Sequence, residues 1–305
     1  MYRKIYLALS ILISEVFAYD FTGLDIDVIS PSSGISRKIA QKIEKLLGRK
    51  VDAPTGDSDA QIFADENAKF LKLDKSLRSK HKILWAIRGG YGMDKIMPLI
   101  AKLNYSNITK KVVIGYSDIT PLMIYFSQKY GWKAINAPML KDFVVGNKSK
   151  SSYQRILNFL KNAQSSLKIS DLHPINAAAK SKNSVIGKIT GGNITCIIST
   201  IGTAWQIDMK EKIVFLEDTN VSGFRLDRLL THMKNAGLFN RAQAIVFGDF
   251  GTDVSKILSK FASKLSIPVF KSTSFGHGRT NLPFVYNYIG TIKTISGKTE
   301  IVMSN

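Results

Sequence analysis

The order of apolar and polar positions predicts strands and helices that alternate along most of the chain. Each predicted strand is a short apolar or alternating run bounded by turn residues. These runs lie at 24–30, 83–87, 112–115, 185–189, 213–216 and 244–247. The predicted helices, which carry apolar residues three and four positions apart, lie at 35–47, 58–77, from about 94, 119–130, 194–201 and 225–236. This alternation predicts an α/β fold with a parallel sheet covered by helices.

Local signals predict where some of these elements begin and end. Gly48 follows the apolar spacing of 35–47, and glycine is common just past the end of a helix. Ser58 or Asp57 precedes the second predicted helix, and either side chain suits an N-cap. Residues 191–193 (Gly-Gly-Asn) predict a turn between a strand and the next helix.

The stretch after residue 146 changes in character, because it is rich in Lys, Ser and Asn. We interpret 151–182 as a partly helical linker between two lobes. The N-terminal α/β lobe then covers 19–150, and a smaller C-terminal α/β lobe with a mainly β end covers 183–305. A chain of 305 residues is long enough for two such lobes that share a cleft.

The first 18 residues have the layout of a secretory signal peptide. Arg3 and Lys4 precede a short apolar run, and Val16 and Ala18 stand three positions and one position before the expected cleavage point. We therefore predict cleavage after Ala18 and a periplasmic location, the alternative being a buried first strand. The apolar run is too short to span a bilayer, and we predict no integral membrane segment later in the chain.

Charge is the unusual feature of the composition. The chain has 43 Lys and Arg against 23 Asp and Glu, a formal net charge of +20, which attracts polyanions. The cations are spread out, as at Lys111 and at 148–150, and no arginine-rich arm, zinc-finger spacing or aromatic RNA-binding signature is visible. These features favour a basic soluble surface and no nucleic-acid partner. The single cysteine, Cys196, rules out an intrachain disulfide and is expected in the core.

Two segments of the N-terminal lobe could carry chemistry. Ser117 lies where a strand ends and a helix begins, a junction that exposes a hydroxyl beside free N–H groups. The segment lacks the second glycine of a nucleophile elbow, so Ser117 or Asp118 could simply cap the helix. Gly89 and Gly90 follow a predicted strand, and their N–H groups could bind an oxyanion or a phosphate, or form a tight turn only.

The C-terminal lobe supplies candidates for an acid and a base. Glu217 and Asp218 end a predicted strand, and only one of them can face the cleft, because neighbouring strand residues point to opposite faces. His277 lies in a loop between two glycines and is the best general-base candidate among the four histidines. The order serine, acid, histidine matches that of α/β-hydrolases. No metal-binding spacing is present, so we predict no metal site.

Together the motifs resemble the LD-carboxypeptidases, the muramoyl-tetrapeptide carboxypeptidases and related microcin-immunity serine peptidases. The likeness runs across nearly the whole mature chain. The matching motifs are Ser-Pro-Ser-Ser-Gly at 30–34, Arg-Gly-Gly-Tyr-Gly at 88–92, Gly-Tyr-Ser-Asp-Ile-Thr-Pro-Leu at 115–122, Asn-Ala-Pro-Met at 136–139, Gly-Gly-Asn-Ile-Thr at 191–195, Phe-Leu-Glu-Asp at 215–218, Arg-Leu-Asp-Arg at 225–228, Gly-Asp-Phe at 248–250 and Gly-His-Gly at 276–278.

This resemblance implies a Ser117–His277–Glu217 triad and oxyanion donors on the glycine turn, at Gly89 and Gly90, and on the N–H of Asp118. It implies hydrolysis of the L,D-amide that releases terminal D-alanine from peptidoglycan tetrapeptides, no cofactor, and a possible homodimer.

The sequence departs from the family pattern at two positions, and two questions about function stay open. Val221 and Phe224 replace an acid and a tyrosine that are often found in the family, so substrate preference could differ. Endopeptidase action on larger muropeptides stays open. The alternative to an enzyme is a non-catalytic exported muropeptide-binding protein, and two lobes around a cleft suit that role as well.

Overall fold

The computed structural model describes residues 19–52, 65–162 and 166–305, and the predicted signal peptide at 1–18 lies outside the described residues. The strands are β1 (Ile26–Ile29), β2 (Ile83–Ala86), β3 (Val112–Gly115), β4 (Lys133–Asn136), β5 (Leu167–Pro174), β6 (Ser184–Asn193), β7 (Lys212–Glu217), β8 (Ala244–Asp249), β9 (Val269–Gly276), β10 (Phe284–Val285), β11 (Ile289–Ile295) and β12 (Lys298–Ser304).

Ten α-helices connect or flank these strands in the part of the chain that the structure describes. They are α1 (Arg37–Leu47), α2 (Glu66–Arg78), α3 (Met93–Ala101), α4 (Thr120–Lys129), α5 (Leu140–Val145), α6 (Lys150–Lys161), α7 (Ala177–Ser181), α8 (Ile194–Ile198), α9 (Gly223–Asn235) and α10 (Ser255–Ala262). None of the helices in the described ranges is long and apolar enough to cross a bilayer.

The strands form two sheets. The first has the order β1-β2-β3-β4-β10, with the first four strands parallel and β10 antiparallel at the edge. The second closes into a barrel in the order β11-β12-β5-β9-β8-β7-β6. Its neighbours β6, β7, β8 and β9 run parallel, and the remaining pairs are antiparallel. The expected α/β architecture with a mainly β end is therefore confirmed.

Local chemistry explains the ends of α1. The Ser36 hydroxyl accepts a hydrogen bond from the Ile39 N–H, which satisfies one of the free donors of the first turn. Gly48 ends the helix with a φ of 66°, a left-handed conformation that glycine adopts without strain. The predicted stop at Gly48 is confirmed.

The start of the second helix differs from the prediction. The described helix α2 begins at Glu66, and the Asp65 carboxylate caps it by accepting from the Asn67 N–H. The predicted cap at Ser58 or Asp57 lies outside the described residues.

The predicted linker at 151–182 is not a simple connector in the structure. It contains most of α6, all of α7 and the strand β5, which pairs with β12 and β9 and completes the barrel. The Gly-Gly-Asn segment at 191–193 also differs from the predicted turn, because it continues β6 in parallel pairing with β7. Gly191 permits this pairing, since a side chain there would overlap the Phe215 backbone.

Two residues predicted to belong to a basic surface are buried instead. Lys111 is 2% exposed, and its ammonium donates to the carbonyls of Ser79 and His81. Lys148 is 4% exposed and also donates to main-chain carbonyls. Their positions in sequence gave no indication of burial, because both stand next to exposed polar residues.

The two sheets bring the carboxyl ends of their parallel strands to a shared region. The main-chain N–H of Asn193, the last residue of β6, donates to the Thr120 hydroxyl at the start of α4, over 3.2 Å. The Tyr286 hydroxyl, which follows β10 of the first sheet, donates to the Gly191 carbonyl in the barrel over 2.7 Å. Ligand sites of parallel α/β sheets form at such strand ends.

Candidate active site

Ser117 adopts a backbone conformation that residues other than glycine seldom take. It lies two residues after β3, begins a 3-10 turn at Ser117–Ile119, and has a φ of 61°. A left-handed conformation costs an L-residue about 1–2 kcal/mol. Tight strand-to-helix turns of this kind present a nucleophile at the top of a parallel sheet. The geometry therefore supports more than a helix cap, and the helix start offers no side-chain cap bond from this turn.

The glycine turn after β2 packs directly against Ser117. A Cβ atom added to Gly89 would lie 3.0 Å from the Ser117 Cβ and 3.1 Å from its Oγ. Gly90 has a φ of 122°, and a side chain there would overlap the hydroxyl of Ser33. That hydroxyl accepts from the Tyr91 N–H at 3.2 Å. Both positions therefore need glycine, because Gly89 and Gly90 pack closely on neighbouring serines and Gly90 also has a positive φ.

Asp118 is buried, and its side chain has a structural partner. The carboxylate accepts from the Met93 N–H at the start of α3, at 3.0 Å. Burial raises the pKa of Asp118 above its usual range. A Cβ at Gly89 would lie 3.4 Å from the Asp118 main-chain nitrogen, so this nitrogen lies beside the glycine turn.

His277 and Glu217 are in contact. His277 Nδ1 and Glu217 Oε2 form a short hydrogen bond, and the Glu217 side chain is fully buried at the end of β7. Burial lowers the pKa of His277, but the Glu217 charge and hydrogen bond raise it, and the net pKa lies above the ordinary value for histidine. The pair leaves Nε2 as the nitrogen that can accept a proton, provided that Nδ1 donates to Glu217.

Asp218 has a different set of partners, which settles the ambiguity between the two acids. Its carboxylate accepts from the main-chain N–H and hydroxyl of Thr195 at 3.0 and 2.8 Å, and from the Thr219 N–H at 2.8 Å. It also accepts from the Asn193 amide at 3.0 Å. Asp218 therefore holds the start of α8, and Glu217 faces the histidine.

Two residues to which the sequence analysis assigned no role lie at this site, and one of them, Tyr116, connects the lobes. The Asn193 amide donates to both Glu217 and Asp218, at 3.3 and 3.0 Å. The Tyr116 ring meets the His277 ring edge to face, with 5.0 Å between centroids. Asn193 belongs to a motif quoted for the family resemblance, and Tyr116 is the neighbour of Ser117, so both positions carried a signal.

Other predicted positions lie around this centre. Cys196, which was expected in the core, is only partly buried, and its thiol lies beside the site, 4.0 Å from an Asp118 oxygen. Burial raises the pKa of this thiol well above the usual value. Val221 is buried, whereas Phe224 is 74% exposed. Among the described residues, no three His, Cys, Asp or Glu side chains gather in a way that could hold a metal ion.

Comparison with known proteins adds family information to this geometry. Residues 26–137 match the LD-carboxypeptidase N-terminal domain, and residues 186–292 match the LD-carboxypeptidase C-terminal domain. The chain belongs to the LD-carboxypeptidase family. The predicted resemblance is thereby confirmed, and the matched ranges include strands of both sheets.

Sequence identity and structural superposition relate this LD-carboxypeptidase family member to several known proteins. A Rickettsia conorii protein, provisionally named a carboxypeptidase, is 37% identical over 282 residues, which are 88% of each chain. The murein tetrapeptide carboxypeptidase of Pseudomonas aeruginosa is 24% identical over 234 residues, 73% of this chain and 72% of that protein. The crystal structure of muramoyltetrapeptide carboxypeptidase from Oxalobacter formigenes superposes with a TM-score of 0.77 at 24% identity, covering 92% of this chain and 98% of that one. This structural likeness shows the shared two-lobed fold.

Proposed function

We propose that this protein is a serine-type LD-carboxypeptidase that releases terminal D-alanine from murein tetrapeptides. The observation that carries the proposal is the strained Ser117, set against a glycine turn and one residue from the Tyr116 ring that packs on His277. The buried Glu217 supports the other side of that imidazole. A protein that only bound muropeptides would have no need for this combination.

The proposed reaction uses the groups in this order. His277 Nε2 removes the Ser117 proton as the hydroxyl oxygen attacks the carbonyl carbon of the L,D-amide. Glu217 keeps the imidazole in the tautomer that can accept this proton and stabilises the imidazolium. The imidazolium then protonates the leaving D-alanine nitrogen, and water hydrolyses the acyl-enzyme by the same proton transfers.

Backbone N–H groups at the glycine turn would stabilise the tetrahedral oxyanion. Gly89, Gly90 and the Asp118 N–H lie next to Ser117, where the substrate carbonyl must approach. In comparable hydrolases each such donor is worth about 3 kcal/mol of transition-state stabilisation. They follow β2 and β3, two paired parallel strands of the first sheet.

The murein substrate is proposed from the family and from the names of its relatives. The Pseudomonas aeruginosa and Oxalobacter formigenes proteins are named for murein and muramoyl tetrapeptides. Action on cross-linked muropeptides belongs to the same proposal as a secondary activity. We also propose export to the periplasm, based on the charged and apolar pattern of residues 1–18, and a homodimer in solution.

The test is release of D-alanine from a purified wall tetrapeptide, followed by mass spectrometry. Ser117→Ala should lower kcat by about 10⁴–10⁶-fold, as for other serine nucleophiles. Ser106→Ala, which changes an exposed serine, is the matched control and should keep wild-type kcat. Binding of the tetrapeptide without any release by the wild-type protein would support the non-catalytic alternative instead.

Three further measurements address the remaining parts of the proposal. Incubation with a cross-linked muropeptide dimer shows whether internal amides are cleaved. N-terminal sequencing of the protein from cells should begin at Tyr19, and a sequence starting at Met1 or Tyr2 would contradict export by cleavage. Sedimentation velocity gives the oligomeric state.

A further inference from the structure

Lys148 is a buried cation next to the proposed active site. It lies between α5 and α6, in a Lys-Ser-Lys tripeptide whose third residue, Lys150, is exposed. Only 4% of Lys148 is accessible to solvent. A buried ammonium group is costly unless its donors are satisfied, so its contacts show what it contributes.

The ammonium group of Lys148 binds the histidine loop. It donates to the carbonyls of three consecutive residues, Gly276, His277 and Gly278, at 3.3, 2.9 and 2.7 Å. A lysine has three N–H donors, so these three bonds use its full capacity. The same nitrogen lies 5.1 Å above the centre of the Tyr116 ring, which itself contacts the His277 imidazole.

Residues that follow Lys148 also bind the residues after the histidine. The Ser149 N–H donates to the Arg279 carbonyl at 2.7 Å, and the Asn281 N–H donates to the Ser152 hydroxyl at 2.9 Å. These bonds connect the start of α6 with the loop over a separation of about 130 residues in the chain. Without the Lys148 ammonium group, these two hydrogen bonds would still hold Arg279 and Asn281, but no bond from this segment would reach His277 itself.

The loop depends on such support because its own conformation leaves little side-chain packing. Gly276 has a φ of 113°, and a side chain at Gly278 would overlap the Asp249 carboxylate. Glycines on both sides of His277 allow this close approach. Gly276 ends β9 and pairs with Asp249 of β8, whereas His277 and Gly278 lie beyond the end of the strand. Glu217 restrains the imidazole ring at Nδ1, whereas Lys148 restrains the main chain that carries it.

We infer that Lys148 is a positioning residue that holds the 276–278 backbone and thereby fixes the position of the His277 imidazole. This inference rests on the proposed role of His277 as the base. It assigns Lys148 no contact with substrate. Loss of the ammonium group should therefore lower kcat and leave KM nearly unchanged.

Lys148 also belongs to the set of charges around the imidazole. Glu217 and Asp218 raise the pKa of His277, and the Lys148 cation lowers it. Asp249 faces the same loop and acts on Lys148, as does Asp142 from α5. Removal of the Lys148 charge should raise the pKa of His277, which moves the acid limb of the kcat profile to higher pH.

The experiment compares Lys148→Met, Lys148→Arg and the matched control Lys150→Met. Lys148→Met should lower kcat by about 10–100-fold, since an error of 1 Å in placing a catalytic group costs about that much. Lys148→Arg keeps the charge, but a planar guanidinium cannot direct three donors from one nitrogen at these carbonyls. It should lower kcat without moving the acid limb. Lys150→Met should behave as wild type in both respects.

A second readout does not depend on turnover. The imidazole titration of His277 can be followed by NMR, with its signal assigned by the loss of a resonance in His277→Asn. The midpoint should rise in Lys148→Met and stay at the wild-type value in Lys148→Arg and Lys150→Met. If the wild type released no D-alanine, the proposed function would fail, while this titration would still test the contact between Lys148 and His277.

The outcomes that overturn the inference are specific. Wild-type kcat in Lys148→Met, or a rise in KM with unchanged kcat, would exclude a positioning role. If Lys148→Met does not fold, as judged by circular dichroism, Lys148→Arg decides. In that case a folded Lys148→Arg with lowered kcat supports the role, and one with wild-type kcat contradicts it.

Discussion

Replacement of Glu217 by glutamine removes one charge from the site and changes almost no volume. In the wild type, one carboxylate oxygen binds His277 Nδ1, and the other accepts from the Asn193 amide at 3.3 Å. A glutamine amide can satisfy only one of these donors. If its oxygen faces His277, its NH₂ group meets the NH₂ of Asn193. If it is flipped, it donates to Nδ1 and leaves the proton on Nε2, where the Ser117 proton must go.

The magnitude follows from these contacts. The unfavourable meeting of two buried donors costs about 1–3 kcal/mol. Loss of the charged acceptor removes about 1.5–3 kcal/mol of stabilisation from the imidazolium that forms in the transition state. Together these effects amount to about 2.5–6 kcal/mol, and each 1.36 kcal/mol is a factor of ten. We therefore expect kcat of Glu217→Gln to fall by about 10²–10⁴-fold.

The pH dependence of activity gives a second prediction, which does not depend on the size of the loss in kcat. His277 must be neutral to accept a proton, so activity falls as the pH drops through its pKa, which Glu217 raises. Glu217→Gln should lower the pKa of His277, so the acid limb of the residual activity should move to lower pH. The assay is D-alanine release from a tetrapeptide between pH 5 and 9, a range set by the ordinary histidine pKa of about 6.5.

The control changes the same side chain at the other end of β7. Glu211 directly precedes the strand and is exposed, so Glu211→Gln should keep both kcat and the acid limb of the wild type. A Glu217→Gln protein with wild-type kcat and an unmoved acid limb would refute the assignment of Glu217 as the partner of the base.

Three other substitutions test neighbouring features. Gly89→Ala would bring a methyl group to 3.0 Å from the Ser117 Cβ, and we expect kcat to fall about 10–100-fold in the tetrapeptide assay with little change in melting temperature. Ser117→Gly should be more stable to urea than Ser117→Ala by about 1 kcal/mol, because only alanine is strained at a φ of 61°; equal stability would argue against strain. Asp218→Asn removes the charged acceptor of Thr195 and should lower the free energy of unfolding by about 1–3 kcal/mol. A loss of activity comparable to Glu217→Gln with unchanged stability would instead make Asp218 the catalytic acid.

Short-range patterns carried most of the fold prediction. The strand runs at 83–87 and 112–115 and the helix stop at Gly48 depend on apolar period and glycine conformation within a few residues. A local pattern also predicted that Ser117 follows a strand, because a strand, a polar turn and a helix follow one another in the sequence there. Residues 151–182 were interpreted as a linker because the stretch is rich in Lys, Ser and Asn, although the first positions of β5 alternate between buried and exposed.

Sequence by itself therefore determined the α/β alternation, the family and the identity of Ser117, Glu217 and His277 as candidates. The contact between Glu217 and the histidine, which the family resemblance implied, is seen in the structure. Only the tertiary structure decided that β5 closes the barrel and that Lys148 is buried beneath the histidine loop. The physical reason is separation along the chain. Lys148 and its carbonyl partners are 128 to 130 residues apart. Local periodicity and propensity cannot predict a contact over such a separation, nor that it leaves a lysine buried.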